Sequence, residues 1–257
     1  MAQTLARFER LEQVQSFIEL RQRASIAELA EQFHLSPVTV RRAVRELAAR
    51  GDIRVIRGGA MAVNRAPREL PAPQRAADQR ALKARIGAAA AAQVRDGETV
   101  FLGSGTTAHE AARHLKTRAG LTVLTNSLLV VDTLLDAPDV AVVVLGGELR
   151  RSELSLIGHI AEQVLHDLRA TTVIMGIHAI HPELGLTNDF LPETMTDRAI
   201  LQLGARVIVA ADHTKCGRVS AAFVAPVSVI DTFITDTGAS DEFASALGEK
   251  GVQVLRV

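Results

Sequence analysis

Residues 101–115, FLGSGTTAHEAARHL, set Gly103-Ser104-Gly105-Thr106-Thr107 between an apolar run and an amphipathic helical stretch. A strand, a glycine turn and a helix start can hold a phosphate, because free backbone N–H groups and the helix dipole both favour an anion there. Three further clusters place polar groups at the ends of apolar runs. Thr125, Asn126 and Ser127 follow LTVL, at the carboxyl edge where open α/β sheets bind ligands. Gly146-Gly147 permits close approach to a ligand, and Arg150 or Arg151 offers a phosphate clamp. For Arg151 a surface ion pair with Glu153 is an equal alternative. Lys215, after another apolar run, supplies a mobile point charge.

Proton abstraction from a bound phosphorylated substrate would need a general base, usually a carboxylate. Asp189, Glu193, Asp197 and Asp212 could supply one, although solvated or capping acids are the default reading. His178-x-x-His181 and His213-x-x-Cys216 have zinc-like spacings. The pairs come from separate strand ends, so packing or ligand contact is the expected role, and neither a metal nor a cofactor is expected. Cys216, beside Lys215, reads as a small half-buried side chain; the alternative is a thiol of lowered pKa.

These residues need a scaffold, and the apolar runs supply it. VFL, LTVLTN, VAVVVLGG, TVIMGI and VIVAAD alternate with helical stretches, as a buried parallel sheet requires. The alanine tract 88–92 reads as close helix packing. Residues 64–75, NRAPRELPAPQR, carry three prolines and little apolar content, so they read as a linker. The expected organisation is a module over 1–63, the linker 64–75 and an α/β domain over 76–257. Hydrophobic content of 47% and charged content of 23% suit a globular chain. No apolar run approaches the roughly 18 residues of a membrane span, and MAQTLARFERLEQ lacks a secretory h-region. With a single cysteine, the expectation is a cytoplasmic protein without membrane contact.

Charge is unevenly spread. Residues 1–75 hold thirteen arginines and eight acids, a net +5, and the remainder carries −5. A basic end on an acidic body suggests a polyanion-binding module. Trp and Tyr are absent, which disfavours single strands gripped by aromatic stacking. Three helices are expected, over about 5–22, 25–33 and 36–49. Ser25 with Glu28 makes a capping box, and Ser36-Pro37 opens the third helix. A tight turn at His34-Leu35 gives helix-turn-helix spacing. On the third helix Val40, Ala43, Val44 and Leu47 share the core face; Val38, Arg42 and Arg45 lie opposite, flanked by Thr39 and Arg41. That outer face suits the major groove of double-stranded DNA. Gly51-Asp52 then turns into a hairpin with Gly58-Gly59 at its tip, a wing that places Arg54 and Arg57 on phosphates.

SIAELAEQFHLSPVTVRRAVRELAARGDIRVIRGGA resembles the winged helix of the DeoR family of bacterial transcription regulators. Ser36, Thr39, Val40, Arg41 and Arg42 match its S-x-x-T-[IV]-R-R motif, and Arg54–Ala60 loosely match its wing. GSGTT, LTNS, LGGELRRSE, MGI with GLT, and ADHTKCGR follow in the order of the family's effector domain. The chain has Ala43 where the family usually has Asp after the paired arginines, and Gly103 where it commonly has Asp. The resemblance implies an effector fold similar to ribose-5-phosphate isomerases and CoA transferases. It also implies a repressor of a carbohydrate operon, acting as a homo-oligomer (dimer or tetramer) and released by a phosphorylated sugar or polyol. A sugar-phosphate isomerase or deaminase with a DNA-binding head is the alternative.

Overall fold

The computed structural model describes residues 2–51, 53–63, 66–67 and 69–257. Asp52 of the expected turn, and Asn64, Arg65 and Arg68 of the expected linker, lie outside the described residues. The chain divides into two compact units, Met1–Arg65 and Ala66–Val257.

The first unit is a winged helix. Helices Ala2–Arg21, Ile26–Gln32 and Pro37–Arg50 pack around Val14, Ile18, Leu29, Val40, Val44 and Leu47. Local hydrogen bonds set their starts. The Ser25 hydroxyl accepts from Glu28 N at 3.1 Å while the Glu28 carboxylate accepts from Ser25 N at 2.7 Å, satisfying two amides that a helix start leaves unpaired. Ile53–Ile56 and Gly59–Ala62 form the antiparallel wing, turning through Arg57-Gly58. Gly59 is therefore already in the strand rather than at the tip. It pairs with Ser25 of a short strand, Arg23–Ser25, that the sequence pattern did not show.

The second unit is built on a parallel sheet of seven strands. Their spatial order is Gln253–Arg256, Thr232–Thr235, Gly204–Ala210, Ala170–Met175, Thr99–Leu102, Leu121–Thr125 and Val140–Val144. All five expected runs lie in it. Alternate side chains enter opposite cores: Val100 and Leu102 join Ile174 and Ile208 on one face, and Phe101 joins Val173, Val209 and Phe233 on the other. Helix Arg80–Ala92 presses against helix Thr106–Leu115, where a Cβ on Gly87 would lie 2.7 Å from Ala111 N. The alanine tract is this close contact. The sheet starts at Thr99–Leu102 and grows outward on one side, then returns to Ala170–Met175 and grows outward on the other. A crevice opens at such a reversal, beyond the carboxyl ends of the two central strands.

Candidate functional site

The outward face of helix Pro37–Arg50 is a candidate DNA-reading surface. Ser36 caps it, accepting from Thr39 N at 3.2 Å, and the two hydroxyls lie 2.8 Å apart. Both expected hydroxyls are thus engaged in the cap. Val38 is 72% exposed, and Arg41, Arg42 and Arg45 are exposed, while Val40, Ala43, Val44 and Leu47 are buried. Arg54 and Arg57 are exposed on the wing. Ala43 lies on the core side, so an acid at this position would need to be buried.

The second unit holds a cavity of about 390 Å³ at the sheet's reversal. Gly103, Ser104, Gly105, Thr106 and Thr107 line it. Gly105 has φ 105° and precedes the helix Thr106–Leu115, so the turn needs a residue free of the L-side-chain restriction. A Cβ on Gly103 would stand 3.0 Å from Met175 Cβ, leaving little space there for the family's aspartate. Arg150 and Lys215 also line the cavity, and both meet carboxylates. Arg150 pairs with Glu193, lies 3.5 Å from Asp189 and stacks 4.5 Å over the Phe190 ring.

Thr125, Asn126 and Ser127 do not line the cavity. All are buried and hold the fold: Thr125 Oγ1 donates to Leu102 O at 2.6 Å and accepts from Ser127 N at 3.0 Å. Asn126 Nδ2 donates to Leu156 O at 3.2 Å, and Ser127 caps helix Leu128–Leu134. Their strand lies beyond the reversal, and the hairpin Glu148–Arg150/Ser155–Ile157 bonds to its end through Leu156 N and Asn126 O. Gly146 and Gly147 are likewise outside the lining. Gly147 has φ 142°, and a Cβ there would meet Ile157 O at 2.6 Å, so this glycine admits the hairpin rather than a ligand.

The expected linker 64–75 also differs. From Ala66 onward the chain belongs to the second unit, with Ala66 N donating to Val219 O at 2.8 Å and Ala72 N to Ser152 O at 2.7 Å. Glu69 and Arg75 line the cavity, as do Lys83, Glu153 and Asn188. Sequence reasoning missed all five. The signal was charge interleaved with proline at 67–75, and one lysine in an otherwise alanine-rich helix. Lys83 Nζ donates to Arg75 O and Asp78 O at 2.8 and 2.7 Å, and burial lowers its pKa against the pull of Asp212.

The four candidate bases are all engaged. Glu193 accepts from Ser155 Oγ at 3.2 Å besides pairing with Arg150, and Asp212 caps the turn His213–Lys215 by accepting from Thr214 N. Burial, then the charge of Glu193, raises the Asp197 pKa well above its ordinary value. Asp189 is spent on Arg150. His181 Nδ1 accepts from Glu183 N at 3.1 Å, and His213 Nδ1 lies 2.8 Å from Asp236. Among the described residues no group of three His, Cys, Asp or Glu could hold a metal ion, and no helix is long and apolar enough to cross a membrane.

The DeoR-like helix-turn-helix domain matches residues 10–66, and the DeoR C terminal sensor domain matches residues 78–237. The transcriptional repressor AccR of Agrobacterium fabrum is 33% identical over 215 residues, covering 83% of each chain. The glycerol-3-phosphate regulon repressor of Escherichia coli is 34% identical over 212 residues, covering 82% of this chain and 84% of its own. Among solved structures, ribose 5-phosphate isomerase A of Methanocaldococcus jannaschii is 16% identical with a TM-score of 0.40, covering 54% of this chain and 55% of its own. With a DNA-reading helix and a sensor domain matched in sequence order, the chain belongs to the DeoR family of transcriptional regulators.

Proposed function

We propose that this regulator is a cytoplasmic repressor without catalytic activity, which binds double-stranded operator DNA as a homo-oligomer and is released by a phosphorylated sugar or polyol. The carrying observation is the cavity at the sheet's reversal, where the Gly103–Thr107 turn opens a helix and Arg150 and Lys215 stand among the lining residues. Amides at a helix start and nearby cations attract a phosphate. Asn188, Glu193 and Asp197 in the same cavity offer hydrogen-bonding partners to hydroxyl groups. Asp189 and Glu193 are held by Arg150 and Asp212 by its cap, while Asp197 is a buried acid of raised pKa bonded to Asn188; this disfavours the isomerase reading, which needs a free carboxylate base.

On the DNA side Arg41, Arg42 and Arg45 face bases, and Arg54 and Arg57 meet phosphates. Two reading heads on one oligomer would engage paired half-sites. A ligand lowers DNA affinity only by binding the DNA-incompetent form more tightly.

Fluorescence anisotropy of a labelled duplex from the gene's upstream region, at fixed salt and with a panel of sugar phosphates, tests this. Specific binding reversed by one phosphorylated sugar is expected, and Arg42→Ala should lose about 1–3 kcal/mol of discrimination against random duplex. Glycerol 3-phosphate, which names one relative's regulon, is the first ligand to try. No preference over random DNA, with a sugar phosphate consumed in the same tube, would overturn the reading.

A further inference from the structure

Lys215 and Arg75 share one carboxylate, and it comes from the segment that leads into the sensor unit. Glu69 pairs with Lys215, lies 3.0 Å from Arg75 Nη1 and stands 3.4 Å from His178 Nδ1. Burial pushes its carboxyl up, but His178, Lys215 and Arg75 outweigh burial and hold it at about 2. Both flanks are pinned to the same unit. Ala66 N and Ala72 N donate to the backbone of Val219 and Ser152, and Arg75 pairs with Glu153. The described residues of 66–75 form a fastened strap, and Glu69 is its clasp.

A second observation marks the clasp as a ligand's place. His178 lines the cavity at 6% exposure; Glu69 is the only polar group set against its Nδ1, at a long 3.4 Å, and its Nε2 has no hydrogen-bond partner among the described residues. A buried polar group left unpaired costs free energy that a ligand oxygen would recover. The strands before Gly103–Thr107, His178 and Lys215 are direct neighbours in the sheet. The helix-start turn, the half-satisfied imidazole and the lysine therefore share one edge of the cavity.

We propose that Glu69 is a built-in occupant of the effector's anion seat: a phosphate at the Ser104–Thr107 turn competes with it for Lys215, Arg75 and His178, and expels it. This rests on the sugar-phosphate reading above and adds the element through which the ligand acts. A phosphate brings nearly two negative charges and three strong acceptor oxygens, against one charge and two oxygens on the carboxylate. With its counter-ions taken, Glu69 meets only repulsion, and the strap loosens. Residues 66–75 are also the covalent path to the DNA-reading unit. Freeing the residues ahead of the short helix Ala72–Arg75, which keeps Arg75 in the seat, adds up to roughly 20–22 Å of tether. A longer, slacker tether lowers the effective concentration of a second reading head at its half-site.

The test is limited trypsin digestion of the full chain, following cleavage after Arg68, which is not among the counter-ions of the seat, by mass spectrometry, with calorimetry in parallel. The probes are inorganic phosphate and the sugar-phosphate panel, with potassium chloride as the ionic-strength control. In the wild type, cleavage should be slow without ligand and at least tenfold faster at saturating phosphate. Glu69→Gln should be cut at the fast rate without ligand and bind phosphate several-fold tighter. Should that variant fail to fold, the wild-type titration decides alone, because cleavage must saturate with the calorimetric Kd. Binding with unchanged cleavage, or weaker phosphate binding by Glu69→Gln, overturns the strap and leaves the sensor reading standing. No binding of phosphate or of any panel member overturns both.

Discussion

Glu193 and Asp197 stand one turn apart on helix Leu191–Leu201 and share one donor, the Asn188 side-chain amide, at 3.1 and 2.8 Å. Both are buried, at 5% and 7% exposure. Two like charges so placed cannot both ionise cheaply. Arg150 pairs with Glu193 and not with Asp197, and burial and then the charge of Glu193 drive the Asp197 pKa well above 3.8. Asp197 is therefore a neutral acid in the folded cavity over a range where it is ionised in the unfolded chain.

The sign of the pH effect follows. A carboxyl whose folded pKa is raised contributes stability that is full below its unfolded value and is lost as pH rises through the folded one. Asp197→Asn, close in shape to the neutral acid, removes that loss. Urea melts at pH 4, 6 and 8 should show the variant gaining on the wild type as pH rises. Parallel curves across the range would mean that Asp197 ionises normally.

The wing separates two kinds of glycine. A Cβ on Gly59 would stand 2.3 Å from Ala24 O and 2.9 Å from Ser25 Cα, both backbone atoms, whereas Gly58, at φ 80°, has nothing within 4 Å. Gly59→Ala must break the pairing with Arg23–Ser25 and should cost about 2–4 kcal/mol. Gly58→Ala pays only the left-handed backbone, about 1–2 kcal/mol. Thermal melts of the full chain should rank them in that order; the reverse ranking would remove the close approach as the reason for Gly59.

Cys216 should resist alkylation. Burial pushes its thiol up to about 12, with Asp212 and Asp236 adding to the rise and the nearby Thr235 hydroxyl opposing it. The thiolate is the reactive form, so at pH 8 only on the order of one molecule in ten thousand would carry it at any moment. Maleimide labelling at pH 8 should be slow in the native protein and fast in urea. Native labelling at the free-thiol rate would restore the alternative of a thiol activated by Lys215.

Sequence legibility followed the range of the forces involved. The capping box at Ser25 and the Ser36 cap are hydrogen bonds spanning three residues, so the local residue order already specifies them. The apolar runs specify sheet strands because each must bury both faces, and the split of Val40, Ala43, Val44 and Leu47 from Val38, Arg42 and Arg45 follows from helical geometry alone. The glycine turn at 103–107 was legible for the same reason, since strand, turn and helix start are contiguous.

Tertiary structure decided what required distant partners. Lys215 and Glu69 are 146 positions apart and Arg75 and Glu153 are 78 apart, so proline-rich residues 66–75 looked like a linker until the cavity's charges supplied their partners. Thr125, Asn126 and Ser127 have side chains fit for a ligand, but their strand lies beyond the sheet's reversal and a hairpin takes up its end. Residue types and local order determined that this chain reads DNA with one unit and carries an α/β sensor in the other. Strand order and long-range charge pairing determined which polar groups meet in the cavity, because a strand's neighbours are chosen by the whole sheet and not by the residues beside it.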